Sequence, residues 1–386
     1  MTKIYFDNSS TSFPKAPSLG KVIGEYIDNK GLNINRGLYE DSYSATSKII
    51  KTRKILCDFF NGESYKNVIF TSGITQAINL VVGGLADENS KVITSNMEHN
   101  AVIRPLAYNN FKYITYIDVT KSEKMYLEEI EKSITQDTKF LIMSHESNVN
   151  GNMINLYEIG QITKKYNIIF IVDTAQSAGK ILIDMKKFNI DILCFTGHKG
   201  LMGPQGIGGF VLSNSVKNML NPINVGGSGI KSDDLCMPDI LPERFEAGTL
   251  NLPGIIGLHH SMSFIIKETM EKINKHCEDL GLYFLEKIQN IDGLEIILPI
   301  TENRNMSLVS INFKNLDNAL ASHILDDEYD IMVRCGLHCA FMAHKSIGTY
   351  PNGTIRFSFG YFNNFKEVDK AVEAINKICL LKEDEY

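Results

Sequence analysis

A chain of 386 residues exceeds what one hydrophobic core usually supports, so two domains are expected. Hydrophobic residues make up 44% of it, charged residues 22%, and the net charge is -6, a globular composition with no basic run that would suit nucleic acid. No apolar stretch is long enough for a bilayer, the first residues lack a signal-peptide core, and seven cysteines at irregular spacing describe no disulfide framework, so the expectation is a reduced, cytoplasmic protein with no membrane partner.

Residues 1–40, with Pro14, Pro17 and Gly31, read as irregular chain that wraps the surface or covers a site. From about residue 42 a helical spacing of apolar residues runs through Ser47–Phe60. Seven strand-like runs follow with helical segments between them: Asn67–Thr71, Val92–Ser95, Tyr113–Ile117, Phe140–Ser144, Ile168–Val172, Ile192–Phe195 and Gly208–Leu212. That alternation predicts an α/β fold with a mostly parallel sheet covered by helices on both faces. Beyond Gly254 a long helical pattern spans Ile255–Gln289. Short runs then alternate, Leu294–Leu298, Ser307–Phe313, a helix near Ala319–Asp326, Gly353–Phe359 and a last helix around Glu367–Leu381. The division expected is a large domain over 1–259 and a small C-terminal α/β domain over 260–386.

The chemistry gathers where these strands end. The run Asp191–Phe195 leads into Thr196-Gly-His198-Lys199 and a glycine-rich loop reaching Gly209, which suits an anion such as phosphate because glycine lets backbone N–H groups approach closely. Alone, the loop would be an ordinary turn beside a solvated lysine. Upstream, however, Ile168–Val172 leads into Asp173-Thr-Ala-Gln176. An acid, an amide and a lysine at neighbouring strand ends form the set that pyridoxal 5'-phosphate needs: an amine for the Schiff base, an acid for the pyridinium nitrogen, and polar groups to orient the ring. Phe70-Thr-Ser-Gly73-Ile-Thr75-Gln-Ala77, joining a strand to a helix, fits either a phosphate at the helix N-terminus, with help from Thr75, or plain caps at Thr71 or Ser72. The motifs Val172-Asp-Thr-Ala-Gln-Ser-Ala-Gly179 and Thr196-Gly-His-Lys199 closely resemble the class V aminotransferase family, in particular its cysteine desulfurase and selenocysteine lyase branch.

That resemblance implies the fold-type I architecture, with a seven-stranded large domain and a small α/β domain. It makes Lys199 the cofactor-linking lysine, Asp173 the partner of the ring nitrogen and Gln176 the partner of the phenolic oxygen. Gly73, Ile74, Thr75, Thr196 and His198 match its phosphate cup. Thr249 matches a residue that reaches the phosphate from a second subunit, which implies a homodimer with shared active sites. His99 matches an imidazole stacked on the ring and available for proton transfer; Asn148, in Ser144-His-Glu-Ser-Asn-Val-Asn-Gly151, lies beside cofactor and substrate, while His145 is structural.

In Val333-Arg-Cys-Gly-Leu-His-Cys-Ala340, followed by His344, the residues themselves leave open a zinc site, a buried thiol or a nucleophile. The resemblance makes Cys339 the nucleophile that takes sulfur as a persulfide, with Arg334 and His338 as cationic neighbours of the kind that activate a thiol. Cys335 is incidental. Arg356 matches the residue that holds the substrate carboxylate, and Tyr5–Thr11 and Asn35-Arg36-Gly37 match elements near the substrate. Phe341 stands where the family usually has proline, and Tyr39 where it often has histidine. The activity implied is conversion of L-cysteine to L-alanine, with sulfur delivered to an acceptor protein that the sequence does not identify. L-selenocysteine is the alternative substrate; another class V activity such as amino-group transfer, or a metal-binding sulfur-carrier scaffold, is the further alternative.

Overall fold

The computed structural model describes residues 3–31, 40–231, 233–299, 301 and 303–381. In chain order these form β1 (Ile4–Tyr5), α1 (Leu19–Lys30), α2 (Glu40–Phe59), β2 (Val68–Thr71), α3 (Ile74–Gly84), β3 (Lys91–Ser95), α4 (Asn100–Tyr108) and β4 (Tyr113–Ile117). There follow α5 (Glu123–Ser133), β5 (Thr138–Ser144), α6 (Leu156–Tyr166), β6 (Ile169–Asp173), β7 (Ile192–Thr196), β8 (Gly208–Leu212), α7 (Leu252–Glu268) and α8 (Met270–Ile288). The C-terminal part holds β9 (Leu294–Ile297), β10 (Leu308–Phe313), α9 (Asn318–Asp327), β11 (Ile331–Met332), β12 (Arg334–Gly336), α10 (Phe341–Ser346), β13 (Thr354–Ser358) and α11 (Phe365–Ile378). None of the described helices is long and apolar enough to cross a membrane.

The seven strands expected from the sequence form one sheet in the order β2-β8-β7-β6-β5-β3-β4. Six of them run in the same direction, and β8 is antiparallel to both of its neighbours. The strands other than the exposed edge strand β4 read as continuous apolar runs because both faces are covered. Along β6 and β7 the alternate residues Phe170, Val172, Leu193 and Phe195 join one core, and Ile169, Ile171, Ile192 and Cys194 join the other. A third core lies under a four-stranded antiparallel sheet of order β12-β13-β10-β9. β1 and β11 form a separate two-stranded parallel sheet, and Phe6 enters this third core, so residues 4–6 pack on the C-terminal part before the chain reaches the large sheet.

Two segments differ from the sequence reading. Residues 19–30 are helical, with Leu19 and Tyr26 buried. Gly20 and Gly24 lower the helix propensity there, and packing against α7 overrides it: a Cβ on Gly257 of α7 would stand 2.8 Å from Ile23. The long pattern over Ile255–Gln289 is two helices. Thr269, at φ 68°, ends α7 and caps α8 by accepting from Lys272 N–H. Asn35, Arg36, Gly37 and Tyr39 lie outside the described residues.

Candidate active site

Because β2, β7, β6, β5 and β3 point the same way, their C-terminal residues Thr71, Thr196, Asp173, Ser144 and Ser95 gather along one edge of the sheet, the place where open α/β sheets bind ligands. Thr71 and Thr196 flank Gly208 of β8 from its two sides. Gly73 caps α3 without a side-chain acceptor, so the first-turn N–H groups of Ile74 and Thr75 are left for an incoming acceptor. A Cβ built on Gly73 would stand 3.9 Å from the Thr196 hydroxyl, so helix start and hydroxyl converge. Thr196 Oγ1 and His198 Nδ1 are both buried without a hydrogen-bond partner. Orphaned donors around a helix N-terminus fit a phosphate.

Asp173 ends β6 and is 3% exposed, with its Oδ1 accepting from Ala175 N–H at 2.8 Å. Burial pushes its carboxyl up, partly countered by that N–H, by Lys199 and by the Ser144 side chain. A buried carboxyl of this kind calls for a cationic partner, which fits a protonated ring nitrogen. Gln176 is buried alongside, donating to the Ser9 carbonyl at 3.1 Å. Lys199 is half-buried just past β7. Burial, reinforced by Arg356, Lys180 and Arg334 and opposed by Asp173, pulls its amine down to about 8. The loop carrying it is anchored at the His198 carbonyl, which accepts from Thr11 Oγ1 (3.0 Å), Ser12 N–H (3.0 Å) and Lys15 Nζ (2.6 Å). His99 caps α4, its Nδ1 accepting from Ala101 N–H at 3.0 Å. Burial first, then the charges of Lys199, Arg334, Arg356 and Arg104, bring it down to about 4.

The small sheet supplies the rest. Arg334 of β12 and Arg356 of β13 are register partners. Arg356 is fully buried, donating to Asn148 O (2.9 Å), Asp7 Oδ1 (2.8 Å) and Ser10 Oγ (2.9 Å), and its Nε has no partner. Arg334 donates to Ser10 Oγ at 2.8 Å and to the exposed Cys339 Sγ at 3.6 Å. His338 (φ 49°) and Cys339 (φ 57°) are consecutive left-handed residues, a conformation that side chains disfavour. Two bonds hold it: Asn148 Nδ2 donates to the His338 carbonyl (2.8 Å) and Asn100 N–H to the Cys339 carbonyl (2.7 Å). Asn148 therefore clamps the cysteine turn as well as contacting Arg356.

One expectation needs correction. His338 is not a cationic neighbour of Cys339, because burial and the charges of Arg356 and Arg334 bring its ring down to about 2, and Nε2 pairs with Thr354 Oγ1 at 2.9 Å. Thr249 is exposed and lines a cavity of about 280 Å³ with Thr46, Arg53 and Glu246, away from the strand-end residues of its own chain. Phe341, in the place where the family usually has proline, opens α10, where Lys345 stacks 5.5 Å from its ring. Cys335 packs against the third core, and the described residues contain no group of three or more His, Cys, Asp or Glu arranged for a metal.

The sequence reading passed over Asp7 and Ser10 as individual site residues, and over Glu98 altogether. Glu98 is fully buried behind His99, between the ends of β3 and β5. An acid three residues past the end of a buried apolar strand was the signal available for it.

The family model for aminotransferase class-V matches residues 4–371. A probable cysteine desulfurase of Borreliella burgdorferi is 34% identical, the alignment covering 97% of this chain and 91% of that protein. A probable cysteine desulfurase of Pyrococcus abyssi is also 34% identical, over 97% of this chain and 94% of its own length. Among solved structures, the apo cysteine desulfurase of Thermococcus onnurineus superposes with a TM-score of 0.89 at 31% identity, covering 98% of this chain and 94% of that one. The strand-end lysine and acid, the glycine-capped helix start and the paired arginines thus sit on a fold and sequence shared over nearly the whole chain, which belongs to the aminotransferase class-V family.

Proposed function

We propose that this chain is a pyridoxal-phosphate-dependent cysteine desulfurase, which takes sulfur from L-cysteine, leaves L-alanine and holds the sulfur on Cys339 for an acceptor protein. The observation that carries the reading is the meeting of two arginines and an exposed thiol with a lysine-bearing sheet edge: Arg334 touches Cys339, and Arg356 lies beside it in register. The names of the relatives point the same way.

When bound, pyridoxal phosphate supplies an electron sink for bond breaking at the substrate's α-carbon. Lys199 would link to it, and its depressed basicity suits an amine that must shed a proton and later take one from the substrate. Gly73, Ile74, Thr75, Thr196 and His198 would hold the phosphate, Asp173 would pair with the ring nitrogen and Gln176 with the phenolic oxygen, and neutral His99 would pack against the ring. The unpartnered Nε of Arg356 is the donor left for the substrate carboxylate. The Cys339 thiolate attacks the substrate sulfur: an S–S bond forms, the C–S bond breaks with its electron pair left on carbon, and that carbon takes a proton to become the methyl group of alanine. Residues 1–259 carry Lys199 and residues 260–386 carry Arg334, Cys339 and Arg356, so substrate lies between the two domains. The match of Thr249 supports a homodimer with shared active sites, and the sequence reading supports a cytoplasmic location.

The test is incubation of purified protein with L-cysteine, with and without a thiol reductant. Alanine and sulfide should appear in equal amounts with reductant, and alanine should stop after a stoichiometric burst without it. Cys339→Ala should keep the yellow cofactor and lose sulfide release by about a hundredfold or more. Normal turnover by that variant would sink the persulfide step.

A further inference from the structure

Glu98 is a charged residue type with no exposed surface, in contact with neither Lys199 nor either arginine. Its carboxyl is enclosed by hydroxyls and one amide. Ser95 Oγ reaches Oε1, Ser144 N–H reaches both oxygens at 3.0 Å, and Ser144 Oγ lies 2.6 Å from Oε2. Ser144 is also the register partner of Asp173 on the adjacent parallel strand, so their side chains share a face, and the Ser144 side chain lies near enough to Asp173 to lower its carboxyl. Among the groups acting on Glu98, Asp173 is the titratable one.

A serine hydroxyl carries one proton. Standing between two carboxyls, it can donate to one only. Were both acids ionised, one of them would face the serine's lone pairs and a like charge in a buried site. One arrangement satisfies every atom: Oε2 of Glu98 carries a proton and donates it to Ser144 Oγ, Oε1 accepts from Ser95 and from Ser144 N–H, and the freed Ser144 proton points at Asp173.

We propose that Glu98 is a neutral carboxylic acid that turns the Ser144 hydroxyl toward Asp173, and so holds Asp173 as the ionised partner of the cofactor's ring nitrogen. Glu98 is thus a positioning residue acting through Ser144, and its role rests on the reading of this site as a pyridoxal-phosphate site. Burial, with the Asp173 charge adding to it and the hydrogen bonds opposing, brings Glu98 up to about 7, in keeping with a retained proton. The arrangement lets two acids stand a serine apart with one negative charge between them, and that charge sits on the acid nearer the lysine-bearing loop.

The test is infrared difference spectroscopy of the cofactor-loaded protein below pH about 7. A protonated-carboxyl stretch should be present, vanish in Glu98→Gln and change frequency in Ser144→Ala, which removes its acceptor. Absence of that band in the unmodified protein, or its persistence in Glu98→Gln, would overturn the proposal. A second readout is titration of cofactor-stripped protein with pyridoxal phosphate. Glu98→Ala should weaken binding about tenfold, and Glu98→Gln, whose amide still donates to Ser144, should recover most of that loss. Equal losses in the two variants would also overturn it. If the unmodified protein took up no pyridoxal phosphate, the reading of the site would fail, while the Glu98 band would remain to be seen on its own.

Discussion

At Lys199, burial and three neighbouring cations act in one direction against a single buried acid, and the amine comes to about 8. The sign of the consequence is fixed. Below that pH the amine is protonated and cannot attack an aldehyde; above it the lone pair is free. Covalent uptake of pyridoxal phosphate should therefore speed up as pH rises through about 8 and then level off, well below the 10.5 of an ordinary lysine. Mixing cofactor-stripped protein with pyridoxal phosphate at a series of pH values, and following visible absorbance, measures this. A midpoint near that of free lysine would mean the neighbouring charges do not reach Nζ, and Lys199→Ala should abolish the covalent band at every pH. His99, brought down to about 4, stays neutral throughout that range and does not contribute to the midpoint.

At the scale of elements, the decisive contact is one between two glycines. Gly208 opens β8 between the ends of β2 and β7, and a Cβ there would lie 2.8 Å from Gly73 Cα and 2.7 Å from the Phe195 carbonyl. Neither backbone can retreat without shifting the start of α3. Gly208→Ala should thus cost about 1–3 kcal/mol of stability through overpacking and weaken pyridoxal phosphate binding further by moving the Gly73 turn. Thermal unfolding with and without cofactor separates the two effects, and a cofactor-induced rise in Tm as large as in the unmodified protein would refute the second. This contact was not legible in the sequence, since Gly208 and Gly73 meet only through the antiparallel pairing of β8. What was legible had local causes. Both-face burial made the strands inside the edge strand β4 continuous apolar runs, and β4 and β8 lie at the bounds read from the sequence. The strand ends carrying Lys199 and Asp173 followed from those runs. Helix α1 was hidden because packing, not propensity, makes it, and the break at Thr269 because one left-handed residue leaves the apolar spacing almost intact. Glu98 and Ser10 were missed because their partners lie on other strands or on the distant small sheet.

For the whole molecule, Thr249 is the residue that one chain does not explain. Among the described residues it has no hydrogen-bond partner, it is exposed, and the cavity it lines is separate from the sheet edge holding Lys199. A two-fold dimer presents the same surface twice, so a residue unused in its own protomer can complete the other's site. If Thr249 reaches the partner's phosphate, Thr249→Ala and Lys199→Ala damage a given site from different subunits. In a mixed dimer the subunit with intact Lys199 then receives an intact Thr249 from its neighbour and forms one sound site, and the opposite site carries both lesions. Random re-pairing of the two variants at equal amounts makes half the dimers mixed, each with one sound site, so desulfuration should return to about a quarter of the unmodified rate. Were Thr249 to act within its own chain, every site would keep one lesion, and the mixture would show only the mean of the two separate preparations.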